Sequence, residues 1–311
     1  MRIVFFGTPD FAVPFLQSLL NDADFDVAAV VTQTDKPIGR KHVLTAPPVK
    51  RLAIKYQVSV LQPKTLKSDE IVQTLRDVRA DIFVVVAYGK LIPKSVLDLP
   101  RLGCVNVHPS LLPKYRGPSP MQWAIREGDR ETGITIMKLD EGMDTGPILA
   151  QTRLLVDPTE TLVTLMQKIH KIGPAFLIKS LKAYATQAIK PVAQDDAKAT
   201  STRLLTREDG EIDWREPAES IDRRLRAYVP WPGVWTNWNR TKKPLRIKII
   251  RAELSEKKLA PGQVLAGPDG LSIGTGSTAI RVIEVQVEGA SAMSAAEFIR
   301  GYSDVSGATL G

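Results

Sequence analysis

Four stretches of this chain are strand-length and almost continuously apolar: RIVFFG (2–7), FDVAAVVT (25–32), ADIFVVVAYG (80–89) and CVNVH (104–108). A strand with one wet face alternates polar and apolar residues, whereas a strand covered on both faces need not. Helical patterns lie between them. Phe11, Phe15, Leu16 and Leu19 form a stripe after a Thr8–Pro9 start that resembles a cap and first turn. VKRLAIKYQ (49–57), SDEIVQTLRDV (68–78, with Ser68 as N-cap) and PMQWAIREGD (120–129) read as further helices, and GITIMKLD (133–140) as another strand. Buried strands alternating with helices predict a doubly wound, mostly parallel Rossmann-like α/β sheet.

Residues 159–187 read as helical and close this unit, so a first domain is expected over 1–188. AIKPVAQDDAKATST is polar, Ala-rich and aperiodic, and 189–202 is the expected linker. Beyond it the pattern changes to short β runs broken by Gly and Pro: LRIKII (245–250), GQVLAG (262–267), LSIGTG (271–276) and AIRVIEVQV (279–287). These predict a small antiparallel, OB-like β-barrel over 203–311, ended by a helix at SAAEFIRG (294–301).

A hydrophobic content of 43% and a charged content of 24% are those of a globular protein. No apolar run approaches about 18 residues, so no membrane span is expected. The start, MRIVFFGTPDF, lacks a signal-peptide core and cleavage site. The single cysteine, Cys104, excludes an internal disulfide framework and a thiolate metal cluster. Together these point to the cytoplasm. The net charge of +8 is unevenly spread: residues 36–68 and 223–252 carry many Lys and Arg and no acid. One such block is usually a solvated face, but two make a polyanionic partner such as nucleic acid worth considering.

The chemistry concentrates at CVNVH. Residues two apart on a strand share a face, so Asn106 and His108 do, and Pro109 ends the strand just beyond them. Ligands of open α/β sheets bind at the carboxyl ends of strands. An amide donor beside an imidazole there could stabilise an oxyanion and move a proton near neutrality. Such a His needs an orienting carboxylate, and Asp140, Glu141 and Asp144 in LDEGMDTGP (139–147) compete for the role. The preceding strand would reach the same edge near Asp140. Asp144, between Gly142 and Gly146, is the expected partner, fixing the ring tautomer and raising the His pKa. Each of the three residues alone is more often structural; what raises the signal is their convergence on one predicted edge.

The chain resembles the folate-dependent formyltransferases. The resemblance rests on FFGTPDFA (5–12), VTQTDKPIGR (31–40), VVVAYGKLIP (84–93), GCVNVHPSLLPKYRGPSP (103–120), ETGITIMKLDEGMDTGPIL (131–149), IDW (212–214) and PWPGVW (230–235). The loop at 31–40 and the second domain narrow it to the tRNA branch. The resemblance implies a catalytic trio of Asn106, His108 and Asp144. It implies folate contacts at Ser110, Leu111, Leu112 and Pro113, and a pterin pocket lined from 85–92 and 139–144, including Val86, Tyr88, Leu91 and Asp140. The implied reaction moves the formyl group of 10-formyltetrahydrofolate to the α-amino group of methionine esterified to initiator tRNA. No metal, membrane or obligatory protein partner is implied.

The basic loop at 33–49 is then expected to meet the tRNA acceptor stem through Arg40 and Lys41, with Asp10 as a further contact. In the second basic block Arg223, Arg246 and Lys248 are the expected tRNA contacts, while Trp231 and Trp235 are expected to pack the barrel. Rival readings are a folate-dependent formyltransferase or hydrolase acting on a small amine, and a non-catalytic RNA-binding protein. The basic second domain argues against the first and the intact trio against the second. A dinucleotide loop at GTPD (7–10) lacks the G-x-G-x-x-G spacing.

Overall fold

The computed structural model describes residues 1–39, 42–240, 243–267 and 270–311. They form two compact units: 1–120, 131–155 and 166–202 in the first, and 121–130, 156–165 and 203–311 in the second.

The first unit is built on β1 (Arg2–Gly7), β2 (Asp26–Val31), β3 (Lys36–Ile38), β4 (Val43–Thr45), β5 (Ser59–Leu61), β6 (Ile82–Val86), β7 (Cys104–His108), β8 (Glu131–Lys138) and β9 (Ile148–Leu155). Seven of these make one sheet in the order β5-β2-β1-β6-β7-β8-β9, and β3 and β4 form a separate hairpin. The pairs from β5 to β7 are parallel, in keeping with the apolar runs of β1, β2 and β6; every residue of β6 is buried. The chain's helices to this point are α1 (Val13–Asn21), α2 (Pro48–Lys55), α3 (Asp69–Asp77), α4 (Lys94–Leu97), α5 (Pro120–Arg126) and α6 (Leu162–Ala185).

Three local expectations change. After β1 the chain makes a short 3-10 turn, Asp10–Ala12, and α1 starts only at Val13. The Thr8 hydroxyl does not cap it but donates to the Tyr88 carbonyl at 3.0 Å. The strand after α5 is antiparallel: His108 lies opposite Thr135 and Val105 opposite Lys138. Residues 139 and 140 therefore leave β8 at the end remote from His108, not at the shared edge expected from the sequence. Finally, 189–202 is tied into the first unit. Val192 pairs with Ile148, and Ser201 with Arg116.

The second unit carries α7 (Ala218–Tyr228), β10 (Val234–Trp238), β11 (Leu245–Ser255), β12 (Val264–Gly267), β13 (Gly270–Gly274), β14 (Ala279–Val287), β15 (Ala292–Ser294) and α8 (Ala295–Gly301). Its antiparallel sheet runs β10-β11-β14-β13-β12, with β15 on β14. A capping box of Ser294 and Glu297 starts α8, whose buried Phe298 stacks on Tyr302. Among the described residues no helix is long and apolar enough to cross a membrane.

Candidate active site

Asn106 and His108 share the β7 face that also carries Cys104, and that face covers the core cluster of Phe6, Phe83, Val85 and Tyr88. His108 is buried, and its Nε2–H donates to the Tyr115 carbonyl at 2.9 Å. That bond fixes the tautomer and leaves Nδ1 as the exchangeable position. Nδ1 faces Asp144 Oδ2 at 3.6 Å. The same carboxylate oxygen accepts the Gly117 N–H at 2.8 Å. Of the three acids that compete in the sequence, Asp144 is the one brought to the histidine. Asp140 instead accepts from Gly142 N–H and the Thr145 hydroxyl, closing its own turn.

Holding this geometry strains the backbone. Tyr115 and Asp144 have φ of 63° and 55°, in the left-handed region, which costs non-glycine residues about 1–3 kcal/mol each. Gly117, at φ +101°, tolerates no side chain: a Cβ there would stand 2.6 Å from the Thr202 carbonyl oxygen.

Burial pushes the His108 pKa below its ordinary value, and the Asp144 charge and the Tyr115 bond oppose that push. The sequence expectation of a raised pKa weighs the carboxylate and omits the burial. Here burial dominates, because removing an imidazolium from water outweighs a carboxylate at 3.6 Å. His108 is therefore a neutral base at physiological pH. Asn106 is half-buried, and its amide makes no hydrogen bond among the described residues, so its donors are available to a ligand.

Beyond His108 the chain turns through Ser110–Pro113, with a cis bond before Pro113. Two residues that nothing in the sequence singles out lock this turn. The buried Thr135 hydroxyl donates to Ser110 O at 2.6 Å and accepts Leu112 N–H at 3.1 Å. Gln151 Nε2 reaches Leu112 O at 2.8 Å and Thr135 Oγ1 at 2.9 Å. Ser110 and Leu112 are buried, while Leu111 and Pro113 are partly accessible.

At the Cys104 end of β7, two residues from Asn106 on the same strand face, lies a cavity of about 470 Å³, lined by Leu97, Cys104, Lys138, Leu139, Asp140 and Glu141 among others. Leu97, Cys104 and Leu139 give it an apolar patch, set among the charged Lys94, Asp98, Arg101, Lys138, Asp140 and Glu141. Of the pterin-contact residues named from the sequence, Asp140 lines it. Val86 and Tyr88 are buried in the core, and Leu91 is 78% exposed. The Tyr88 hydroxyl has no hydrogen-bond partner among the described residues, and burial raises its pKa to about 12. The Tyr88 carbonyl accepts from Thr8 and Gln33, which anchors the segment after β6. Among the described residues no group of three or more His, Cys, Asp or Glu could hold a metal ion.

The expected tRNA contacts fare differently. Arg40 and Lys41 lie outside the described residues. Asp10 is exposed. Arg223 Nε donates to the Arg126 carbonyl at 3.0 Å. Arg246 lies 4.2 Å over the Trp235 ring, and Lys248 Nζ donates to Pro230 O at 3.3 Å. Trp235 is buried as expected, but Trp231 is 56% exposed and does not pack the sheet.

A family model described as formyl transferase matches residues 1–181, and one described as formyl transferase, C-terminal domain, matches 204–303. The methionyl-tRNA formyltransferase of Myxococcus xanthus is 44% identical over 97% of this chain and 95% of its own length. That of Roseiflexus sp. (strain RS-1) is 46% identical over 100% of this chain and 95% of its own. The chain belongs to the methionyl-tRNA formyltransferase family. Among solved structures, WlaRD, a sugar 3N-formyl transferase, superposes with a TM-score of 0.66 at 19% identity, over 94% of this chain and 99% of its own. HypX from Aquifex aeolicus in complex with tetrahydrofolic acid gives 0.64 at 18% identity, covering 96% of this chain and 47% of HypX. At such identities these two bear on the fold alone. The family membership makes formyl transfer the reaction class of this chain.

Proposed function

We propose that this chain transfers the formyl group of 10-formyltetrahydrofolate to the α-amino group of methionyl-initiator tRNA, giving formylmethionyl-tRNA for translation initiation. The observation that carries the reading is the buried His108 facing Asp144, with the unbonded Asn106 amide on the same strand face. Full-length relatives named for that acceptor support its identity.

The donor supplies an electrophilic formyl carbon, and the cavity at the Cys104 end of β7 is where Leu97, Cys104, Leu139 and Asp140 would hold its ring. The acceptor amine, with an ordinary pKa of about 7.7–8.0, attacks unprotonated. Its lone pair forms the new C–N bond as the carbonyl electrons move to oxygen. The Asn106 amide donates to that oxyanion, a contribution of about 10²–10³ in rate for one such donor. His108 Nδ1 takes the proton the amine releases. The imidazolium, paired with Asp144, also faces the oxyanion and then delivers the proton to the departing N10 as its C–N bond breaks. Asp144 keeps the ring aimed throughout. Catalysis belongs to residues 1–188 in this reading and tRNA binding to 203–311, through Arg246 and Lys248, together with Arg40, Lys41 and Asp10 of the first part.

The test supplies labelled 10-formyltetrahydrofolate with charged initiator or elongator methionyl-tRNA. Initiator methionyl-tRNA is expected to be formylated, the elongator not, and His108→Ala to lose at least about a hundredfold in kcat. Transfer to neither tRNA, with a small sugar amine accepted instead, would overturn the assignment.

A further inference from the structure

We propose that Gln194 is a positioning residue of the active site: its carboxamide clamps the backbone on both sides of Thr145 and so holds the Asp144 carboxylate at His108. Gln194 Nε2 donates to Asp144 O at 2.8 Å and to Gly146 O at 2.7 Å. Its Oε1 accepts from Arg116 Nε at 3.1 Å and Nη2 at 2.9 Å. Both amide hydrogens and both oxygen lone pairs are thus engaged, so the carboxamide has one orientation that satisfies it. Arg116 directly precedes Gly117, whose N–H binds Asp144 Oδ2. The contacts form a closed circuit: Gln194 to the Asp144 backbone, along that residue to its carboxylate, to Gly117, to Arg116, and back to Gln194.

The circuit is anchored on both sides. Val192 and Ile148 exchange backbone hydrogen bonds of 2.8 Å. The Arg116 N–H donates to Thr200 O at 2.8 Å, and Thr202 N–H returns to Arg116 O at 2.7 Å. Arg116 Nη2 also meets Asp196 Oδ1 at 2.6 Å. The clamped loop needs such a restraint. Gly142 and Gly146 flank Asp144, and Asp144 sits at φ 55°, a conformation its own backbone disfavours. An external donor pair on the carbonyls of 144 and 146 selects that conformation over the many the glycines allow. Gln194 touches no reacting atom; it acts through Asp144.

The kinetic part of the test rests on the formyl-transfer reading, and the second readout does not. Gln194→Met keeps the volume and removes every hydrogen bond, and Gln194→Ala is its companion. With folding checked by thermal unfolding, kcat is expected to fall about ten- to a hundredfold, the scale of an ångström's misplacement, while KM for the folate donor changes less than about twofold. In an Asp144→Asn background the same change at 194 should cost little further. Equal losses in both backgrounds, no loss at all, or losses that track the folded fraction would overturn the proposal. His108 ring resonances titrated by NMR provide the independent measure. Gln194→Met should move the His108 titration to lower pH, because Asp144 opposes the effect of burial on that ring. An unchanged titration would overturn the clamp even if the protein formylates no methionyl-tRNA; failure of wild-type transfer with a shifted titration would count against the reaction and leave the clamp standing.

Discussion

His108 sits where two opposing effects meet, and their balance sets a measurable pH dependence. Its folded pKa is pushed down by burial, and that of His170, which packs on Phe11 and Phe15 with a buried, unpartnered Nε2, is pushed down for the same reason. In the unfolded chain both titrate near about 6.5. Below that pH the unfolded state binds more protons, so stability is complete above about 6.5 and falls as the pH drops towards the folded pKa values. The unfolding midpoint measured from pH 8 to 5 should therefore decline below about 6.5. His108→Gln should flatten part of that decline, whatever it does to the midpoint at pH 8. A slope identical to wild type would show that burial does not govern this ring. The sequence indicates an Asn, a His and a carboxylate at one edge, and Asp144 is the acid that arrives. It does not indicate how deeply His108 is buried, because burial depends on Tyr115 and the 110–117 turn closing over it. The roles of Gln194, Thr135 and Gln151 are not legible at all: each is a polar residue whose partners are distant in the chain.

Among the elements, those buried on both faces are the legible ones. β1, β2, β6 and β7 show as almost continuously apolar runs because both of their faces are covered. β9, ILAQTRLL, is not legible in the sequence because it is an edge strand with alternating exposure, and its polar half looks like loop. β3, β4 and β5 span three residues each, too short for any period to show. The direction of β8 is hidden as well: an antiparallel neighbour of a buried strand has the same composition as a parallel one. Its Gly133 is where this matters to the site. A Cβ there would stand 2.2 Å from Thr152 O of β9 and 2.4 Å from a Leu111 methyl of the turn beyond His108. Gly133→Ala is expected to destabilise by about 1–3 kcal/mol through overpacking and to weaken folate binding by displacing that turn. Chemical denaturation and donor titration would check both, and unaltered values would mean the turn adapts freely.

For the whole molecule, charge read along the chain is not charge read on the surface. The block 223–252 contains no acid, yet the fold returns acids to it from elsewhere. Arg224 pairs with Glu216, Arg226 with Asp222 and Arg240 with Asp304. Lys50 of the first block likewise pairs with Asp35. Lys248 makes no ion pair among the described residues, since its ammonium meets only the Pro230 carbonyl. If it contacts a tRNA phosphate, Lys248→Gln should lower the slope of log affinity against log salt by about 0.7–0.9 and leave folate affinity alone. Filter binding across a salt series decides it, and an unchanged slope would remove Lys248 from the interface. The pairing of Val192 with Ile148 and of Ser201 with Arg116 bears on how such a gene can be cut. A fragment ending with α6 would encode the sheet and its helices with an unsealed seam beside Asp144. Chimaeras that exchange C-terminal halves between relatives therefore belong with their splice point after Thr202.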